Sequence, residues 1–461
     1  MNKENNASFD FDSNELLMTQ DTKEIAIIGD GFAAATALIH LLRRGIHFSK
    51  IVIIGPGVLG KGNAYTCISP FFRLNVREDL PSVFSEDPLH FARWAEVHID
   101  DPEAQTDAGY FYRRYDFGRY ISELVSKELG SDQVDRIDAK VSNLYKANEH
   151  WCLETDKLKT IAAQQVIIAT GNPPPIWPCA VQNTQTTTGP LQLIENPWVG
   201  QELGNIHAHE EIILLGGGLT ALDAINALVG QGHQGLIKVV GPRALFPPMQ
   251  ARWKREGQPD WPKNLSPAKL VRFIRNHLPS APTDSVVWQS AWEELRPNLN
   301  TIWQQFSKLQ RRILFKRLGW LWSLYRFRAS PQTINAYRKL EANQQIQFVL
   351  GRAKRIEVTK TVSVVLGDGS TVSGDRILNC TGVGRDPLLS KLIADQVARP
   401  DALGKSIAVA GDYRVSKASG GEWNDLWMIG PATMGSLGDV IAASSIAKQA
   451  EQLSIQITSK Q

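Results

Sequence analysis

The strongest constraint on this chain is a glycine-punctuated turn that occurs twice. Residues 23–42 read KEIAIIGDGFAAATALIHLL. An apolar run of strand type ends at Ile28, a glycine turn follows, and from Ala33 small and apolar residues recur at helical spacing. Gly29 and Gly31 hold the first two places of G-x-G-x-x-G/A and Ala34 the third. Gly29 permits a sharp turn, Gly31 lets a pyrophosphate approach the backbone, and Ala34 lets helix and strand pack closely. The free N–H groups and positive dipole end of the helix are then available to phosphates. The pattern returns in ILLGGGLTALDA, with Gly216, Gly218 and Ala221 in the same three places and Ile237 to Val240 as the next strand. One such loop can be no more than close helix–strand packing. Two in one chain point to an α/β protein with two Rossmann-like dinucleotide-binding domains, the second inserted in the first.

The intervening sequence supports that plan. Ile51 to Ile54 is the second strand of the first unit, and Gly55 stands where a ribose-binding acid is usual. Gly60, Gly62, Ala64 and Tyr65 form a second small-residue loop. Asp87-Pro88 reads as a helix entry that carries Phe91 and Trp94 inward. Arg113 and Arg114 precede a helix from Phe117 and read as a solvated edge or a phosphate contact, not as catalytic groups. A weakly alternating meander from Val141 leads to a strand ending in Ala169-Thr170-Gly171. In the second half, strands flanking Gly367-Asp368-Gly369 form a hairpin, and a strand then ends in Cys380-Thr381-Gly382. Each half therefore contains a glycine loop, a meander and a strand ending in Thr-Gly, a duplication of plan more than of sequence.

Between about Pro247 and Arg328 the chain turns rich in tryptophan and arginine. Ile302, Phe306, Leu309 and Ile313 predict one face of a single long helix, with Lys308, Arg311, Arg312, Lys316 and Arg317 on its solvated side. The segment reads as a helical insertion roofing a site. The expected division is a flexible lead-in over 1–22, an FAD-type domain over 23–198 plus 360–461, and an NAD(P)-type domain over 199–359 with the insertion at about 247–340.

Composition excludes several classes of function. Among 461 residues, 43% are apolar and 21% charged, as in ordinary globular proteins, and a formal charge of +3 gives no reason to expect nucleic acid as a partner. Cys67, Cys152, Cys179 and Cys380 are far apart and form no C-x-x-C, which argues against a disulfide framework, a zinc ribbon or a dithiol centre. The polar start does not read as a signal peptide, and no apolar run is long enough for a membrane span. A soluble protein of a reducing, cytoplasmic compartment is expected.

The segments IIGDGFAAA, GKGNAY, RLNV, EDPLHFARW, RRYDFGRY, GGGLTALDA, WSLYRFR, NCTG, RPDALG and MIGP carry a resemblance covering nearly the whole chain. The chain resembles the bacterial FAD/NAD(P)-binding proteins among the two-dinucleotide flavoproteins, distantly akin to flavin-dependent N-hydroxylating monooxygenases. The resemblance implies FAD on the loop of Gly29, Gly31 and Ala34, with the turn Leu74-Asn75-Val76 near the flavin. It also implies that Gly430 and the helix after it close over the flavin. The expected cofactor-binding residues are Gly29, Gly31, Phe32, Ala33, Ala34, Asn75, Thr170, Gly171, Gly216, Gly218, Leu219, Thr220, Ala221, Arg243 and Gly430. The sequence departs from the family's pattern at three places. Gly55 replaces the usual acid, Pro242 leaves Arg243 alone for a 2′-phosphate, and Phe327 stands where a His is expected. The cofactors implied are FAD and either NADPH or NADH.

The activity so implied is a monooxygenase in which reduced flavin and oxygen deliver one oxygen atom to a nucleophilic nitrogen, sulfur or carbon of a small molecule. Such chemistry needs a dry pocket and no dedicated acid–base pair, and no catalytic residue is assigned. Two alternatives stay open: a flavin reductase or dehydrogenase without oxygen transfer, and a flavin-binding regulator without turnover. The aromatic and basic insertion suggests an anionic or carrier-bound substrate. No metal site is expected, and the sequence is silent on oligomeric state.

Overall fold

The structure is a computed structural model that describes residues 22–183, 192–199, 202–243 and 245–459. The expected lead-in lies, apart from Thr22, outside the described residues. The first unit contains strands β1 (Lys23–Ile28), β2 (Ile51–Ile54), β3 (Asp135–Ile137), β4 (Val141–Ala147), β5 (His150–Thr155) and β6 (Thr160–Ile168), with helices α1 (Phe32–Arg43) and α2 (Arg114–Leu129). The second contains β7 (Ala180–Asn183), β8 (Leu193–Ile194), β9 (Ile212–Leu215), α3 (Leu219–Gly230) and β10 (Ile237–Gly241). Helices α4 (Pro267–His277), α5 (Val286–Gln305), α6 (Lys308–Arg326) and α7 (Pro331–Ala342) then intervene. Strands β11 (Ile346–Leu350), β12 (Ala353–Val358), β13 (Val362–Leu366), β14 (Thr371–Gly374) and β15 (Arg376–Asn379) complete the second unit. The chain returns to the first with β16 (Arg414–Ser416), β17 (Glu422–Met428) and α8 (Ala443–Thr458).

The first sheet has eight strands, in the order β16-β17-β6-β1-β2-β3, with β4 and β5 joined on through β5–β6 pairing. The second is a five-stranded parallel sheet, β8-β15-β9-β10-β11, and the third a four-stranded sheet, β14-β13-β12-β7. β1 and β9 are central and parallel to both neighbours. Their near-continuous apolar runs follow, since side chains on both faces are covered. In the first unit α1, almost entirely buried, packs against α2 and α8. In the second, α3 packs against α7.

The expected duplication of plan is present in the hydrogen bonding. Gly29 N–H donates to Ile54 O at 2.8 Å and Gly216 N–H to Val240 O at 2.8 Å. Ala169 N–H donates to Ile28 O at 2.8 Å and Cys380 N–H to Leu215 O at 2.9 Å. In each unit, then, the glycine loop leaves a central strand clamped between the next strand and the strand ending in Thr-Gly.

Two boundaries differ from the sequence reading. Residues 360–461 were expected in the first unit, but β13, β14 and β15 pair with strands of the second, so the return follows Asn379. A meander has the same alternation whichever sheet it joins, and composition cannot choose between them. The single long helix is also two helices, broken at Phe306-Ser307. Ser307 and Gln310 form a capping box that starts α6, leaving Leu309 65% and Ile313 45% exposed, while Ile302 and Phe306 stay buried. At the entry expected after Asp87-Pro88, a helix spans His90–His98, with Phe91 buried and Trp94 half-buried.

Candidate cofactor site

The site is built around the N-termini of α1 and α3. Gly29 has φ +122°, and a Cβ there would lie 2.3 Å from Ala169 O. Gly216 has φ +110°, and its Cβ would lie 2.5 Å from Cys380 O. Only glycine fits either place, because the left-handed backbone and the neighbouring carbonyl exclude a side chain together. Gly31 and Gly218 are the N-cap residues of α1 and α3; neither helix has a side-chain cap or an acid in its first turn. The insertion helices α4, α5 and α6 are capped instead by Ser266, Ser285 and Ser307. The two helix starts at the glycine loops thus keep N–H groups that no side chain of the cap satisfies, next to a positive dipole end.

Other expected residues gather at the first loop. A Cβ on Gly31 would lie 3.6 Å from Gly62 Cα, and Gly60 N–H donates to Asp30 O at 2.8 Å, so the loop of GKGNAY lies against the glycine turn. Gly430, at φ +96°, would place a Cβ 3.4 Å from Ala33 Cβ. A buried network holds it there: Gly430 N–H donates to Gln449 Oε1 at 2.7 Å, and Gln449 Nε2 donates to Thr433 Oγ1 at 3.1 Å. Asn63 Nδ2 donates to Asn172 O at 3.3 Å, which ties the 60s loop to the segment after Thr170-Gly171. The Thr170 hydroxyl itself donates to Asp386 Oδ2 at 2.6 Å, and Asp386 also caps the helix Pro387–Ala394. Phe32, Ala33 and Ala34 are buried in the first turn of α1.

Asn75 stands on a turn clamped by two buried arginines. Arg73 pairs with Asp101 and, at 3.0 Å, with Glu103. Arg77 donates to Ala251 O at 3.3 Å and Trp253 O at 3.0 Å, joining the turn to the insertion. Asn75 Oδ1 is buried and has no hydrogen-bond partner among the described residues. Such an orphan acceptor is costly unless a ligand completes it.

The acid missing at Gly55 is replaced spatially by a residue that sequence reasoning passed over. Asp30, between the two loop glycines, leans across the end of β2. A Cβ on Gly55 would lie 2.7 Å from Asp30 Oδ2, and the same oxygen accepts from Gly57 N–H. The one available signal was the coincidence of Asp30 with two glycines after β2.

At the second loop, Leu219 and Thr220 open α3 and Ala221 is buried behind them. Trp198 Nε1 donates to Thr220 Oγ1 at 3.3 Å. Arg243 is exposed after β10, where the chain passes Gly217, and its guanidinium lies 4.0 Å from the centre of the Trp320 ring. No carboxylate pairs with it among the described residues.

The arginine pair at the start of α2 is a correction. Arg114 is buried, bonds Asp223 of α3 at 3.0 Å and lies 4.3 Å from the Trp198 ring centre. It is not a solvated edge; it joins the two units. Burial outweighs the arginine and pushes the Asp223 carboxyl up to about 6. Arg113 is half-buried and pairs with Asp116 at 2.7 Å.

Such a fold, with two glycine-capped helix N-termini on matching parallel strands, defines the class of FAD/NAD(P)-binding oxidoreductase folds. Residues 26–173 match the family model described as FAD-NAD(P)-binding. Solved structures share the fold across nearly the whole chain. An ornithine N-hydroxylase from Kutzneria sp. 744, solved with reduced FAD, NADP+ and L-ornithine, is 15% identical with a TM-score of 0.62, covering 95% of this chain and 99% of that one. An ornithine hydroxylase from Pseudomonas aeruginosa is 13% identical with a TM-score of 0.63, again covering 95% and 99%. A bacillithiol disulfide reductase from Bacillus cereus is 15% identical with a TM-score of 0.54, covering 95% and 100%. None of the curated proteins compared with the chain matches it. No helix among the described residues is long and apolar enough to cross a membrane.

Proposed function

We propose that this protein is an FAD-dependent oxidoreductase driven by NADPH or NADH, and that it acts as a monooxygenase on a small molecule. The observation that carries this reading is the matched pair of glycine-capped helix starts, each pinned by a strand that ends in Thr-Gly. In this reading FAD lies on Gly29, Gly31 and the first turn of α1, with Asn75 Oδ1 finding its missing partner in the cofactor and Gly430 closing beside Ala33. The residues fit the group: an uncapped helix N-terminus and a close backbone approach meet at the first loop, and Asn75 offers a buried orphan acceptor. Asp30 supplies the ribose acceptor that Gly55 lacks. NAD(P)H lies on Gly216, Gly218 and the start of α3, with Arg243 beside its adenosine end. Thr170 acts indirectly, by fixing Asp386. When bound, FAD supplies the two-electron chemistry, while the protein orients it and excludes water. The unit of β1–β6, β16, β17 and α8 is the FAD domain, and β7–β15 with the insertion the NAD(P)H domain.

Both hydroxylases and disulfide reductases share this fold, and the cysteines favour the former. All four are free thiols. Burial raises every one of them above the ordinary thiol value, so none is poised as the thiolate that disulfide exchange requires. L-Ornithine, bound by one of the similar proteins, is not carried over as the substrate. The test is stoichiometry: oxygen uptake matched by a hydroxylated product supports the monooxygenase. Uptake that returns wholly as peroxide in the presence of turned-over substrate points to a reductase.

A further inference from the structure

Resting on the flavin reading above, we propose that the cavity inside the helical insertion is the substrate site, and that it takes a neutral, predominantly apolar molecule. The cavity, of about 480 Å³, lies between α4, α5 and α6 and falls within the range of small-molecule sites. Its walls are aromatic and aliphatic, with Trp288, Trp292, Trp303, Phe306, Leu318 and Trp322 among them. Its floor is the chain that leaves β17 through Gly430, where Met434 and Asp439 line it. That floor is tied to the insertion. Trp303 Nε1 donates to Gly435 O at 3.3 Å, Asn300 Nδ2 donates to Asp439 O at 3.1 Å, and Arg311 Nη1 donates to Ser436 O at 3.0 Å. One end of the cavity therefore adjoins the segment that, on this reading, closes over the flavin.

Charge on the walls selects a neutral occupant. The arginines that the composition suggested as anion ligands are engaged elsewhere. Arg326 bonds Asp439 at 2.5 Å, and Arg296 bonds Asp439 at 3.0 Å and Glu293 at 2.6 Å. The floor carboxylate is thus already held between two guanidiniums, and neither partner is left over as a countercharge for an ion. Arg328 is buried behind the ring of Trp288 and does not line the cavity, so an ion of either sign would lose its hydration there without gaining an unpaired buried partner. Arg275, which also lines the cavity, is exposed to solvent, where its charge is screened. A neutral apolar molecule avoids that loss and gains the transfer free energy of its buried surface.

The experiment uses the full-length protein and four probes of one chain length: 1-decanol, decanamide, sodium decanoate and decylammonium chloride. Binding is read by quenching of tryptophan fluorescence and by calorimetry, and flavin content separately by absorbance. Decanol and decanamide should each bind at least about tenfold more tightly than either ion. In FAD-loaded protein they should perturb the flavin absorption band. Leu318→Trp, which places an indole in the cavity wall, should abolish neutral binding, and Leu318→Ala should retain it. If decanoate or decylammonium binds as tightly as decanol, if no probe binds, or if Leu318→Trp binds decanol like the parent, the proposal is overturned. Decanol binding in a protein that takes up no FAD would uphold the cavity and refute the flavin reading; a yellow protein that binds no probe would do the reverse.

Discussion

Alanine at Gly29 and alanine at Gly31 should harm different things, although the residues are two apart. At Gly29 the new Cβ meets Ala169 O at 2.3 Å on a backbone with φ +122°. The left-handed conformation costs a non-glycine residue about 1–3 kcal/mol. Relieving the contact separates β1 from β6 where Ala169 N–H bonds Ile28 O, and losing that bond costs about 1 kcal/mol. Reduced freedom of the unfolded chain returns about 0.5 kcal/mol. The net expectation for Gly29→Ala is a loss of about 3 kcal/mol, a large fraction of a domain's stability. Gly31, at φ −81°, meets only Gly62 Cα at 3.6 Å, an ordinary contact, so Gly31→Ala should cost the apoprotein less than about 1 kcal/mol. Its methyl would stand where the pyrophosphate approaches, weakening charge-assisted bonds worth about 1.5–3 kcal/mol, or roughly tenfold to a hundredfold in FAD affinity. Gly216→Ala and Gly218→Ala should repeat the contrast at the second loop, where the first clashes with Cys380 O and the second meets nothing within 4 Å. Urea unfolding of the apoproteins and fluorescence titration with FAD separate the two effects. A Gly29→Ala protein of parental stability, or a Gly31→Ala protein of unchanged FAD affinity, refutes the reasoning.

Three further outcomes follow from named contacts. Asp30→Asn should weaken FAD binding about tenfold by removing the charged ribose acceptor, read by flavin fluorescence; parental affinity would return the ribose to an unassigned partner. Arg243→Ala should raise the KM for NADPH about tenfold and leave that for NADH near its original value, whereas equal changes would detach Arg243 from the 2′-phosphate. Asp223 has a folded-state pKa raised from 3.8 to about 6, so the native state binds the extra proton more tightly than the unfolded chain. The stability this contributes is fully present below pH 4 and is lost as pH rises through 6, a change of about 3 kcal/mol. Asp223→Asn should flatten that part of the stability profile, and an unchanged slope would assign it to other groups.

What the sequence disclosed was the part of the fold that admits few residue types. Gly29 and Gly216 are legible because a positive φ beside a carbonyl admits glycine alone, and the Thr-Gly strand ends recur because each faces such a turn. What it hid depends on partners far along the chain. Nothing local in RRYDFGRY says that Arg114 will be buried against Asp223, or that Asp30 will occupy the room left by Gly55. The apolar period from Ile302 to Ile313 is real but crosses a helix boundary, because Ser307 offers a better hydrogen bond as a cap than as a helix interior residue. The insertion's arginines suggested a cationic pocket, whereas folding turns Arg296 and Arg326 onto Asp439 and leaves an apolar one.

The most direct test of two equivalent phosphate cradles is an anaerobic titration of the purified, FAD-loaded protein with NADPH, and in parallel with NADH, followed through the flavin absorption band. The account predicts one FAD per chain and full bleaching at one equivalent of one of the two nicotinamides. A chain that takes up no FAD, or a flavin that neither nicotinamide bleaches, would contradict it.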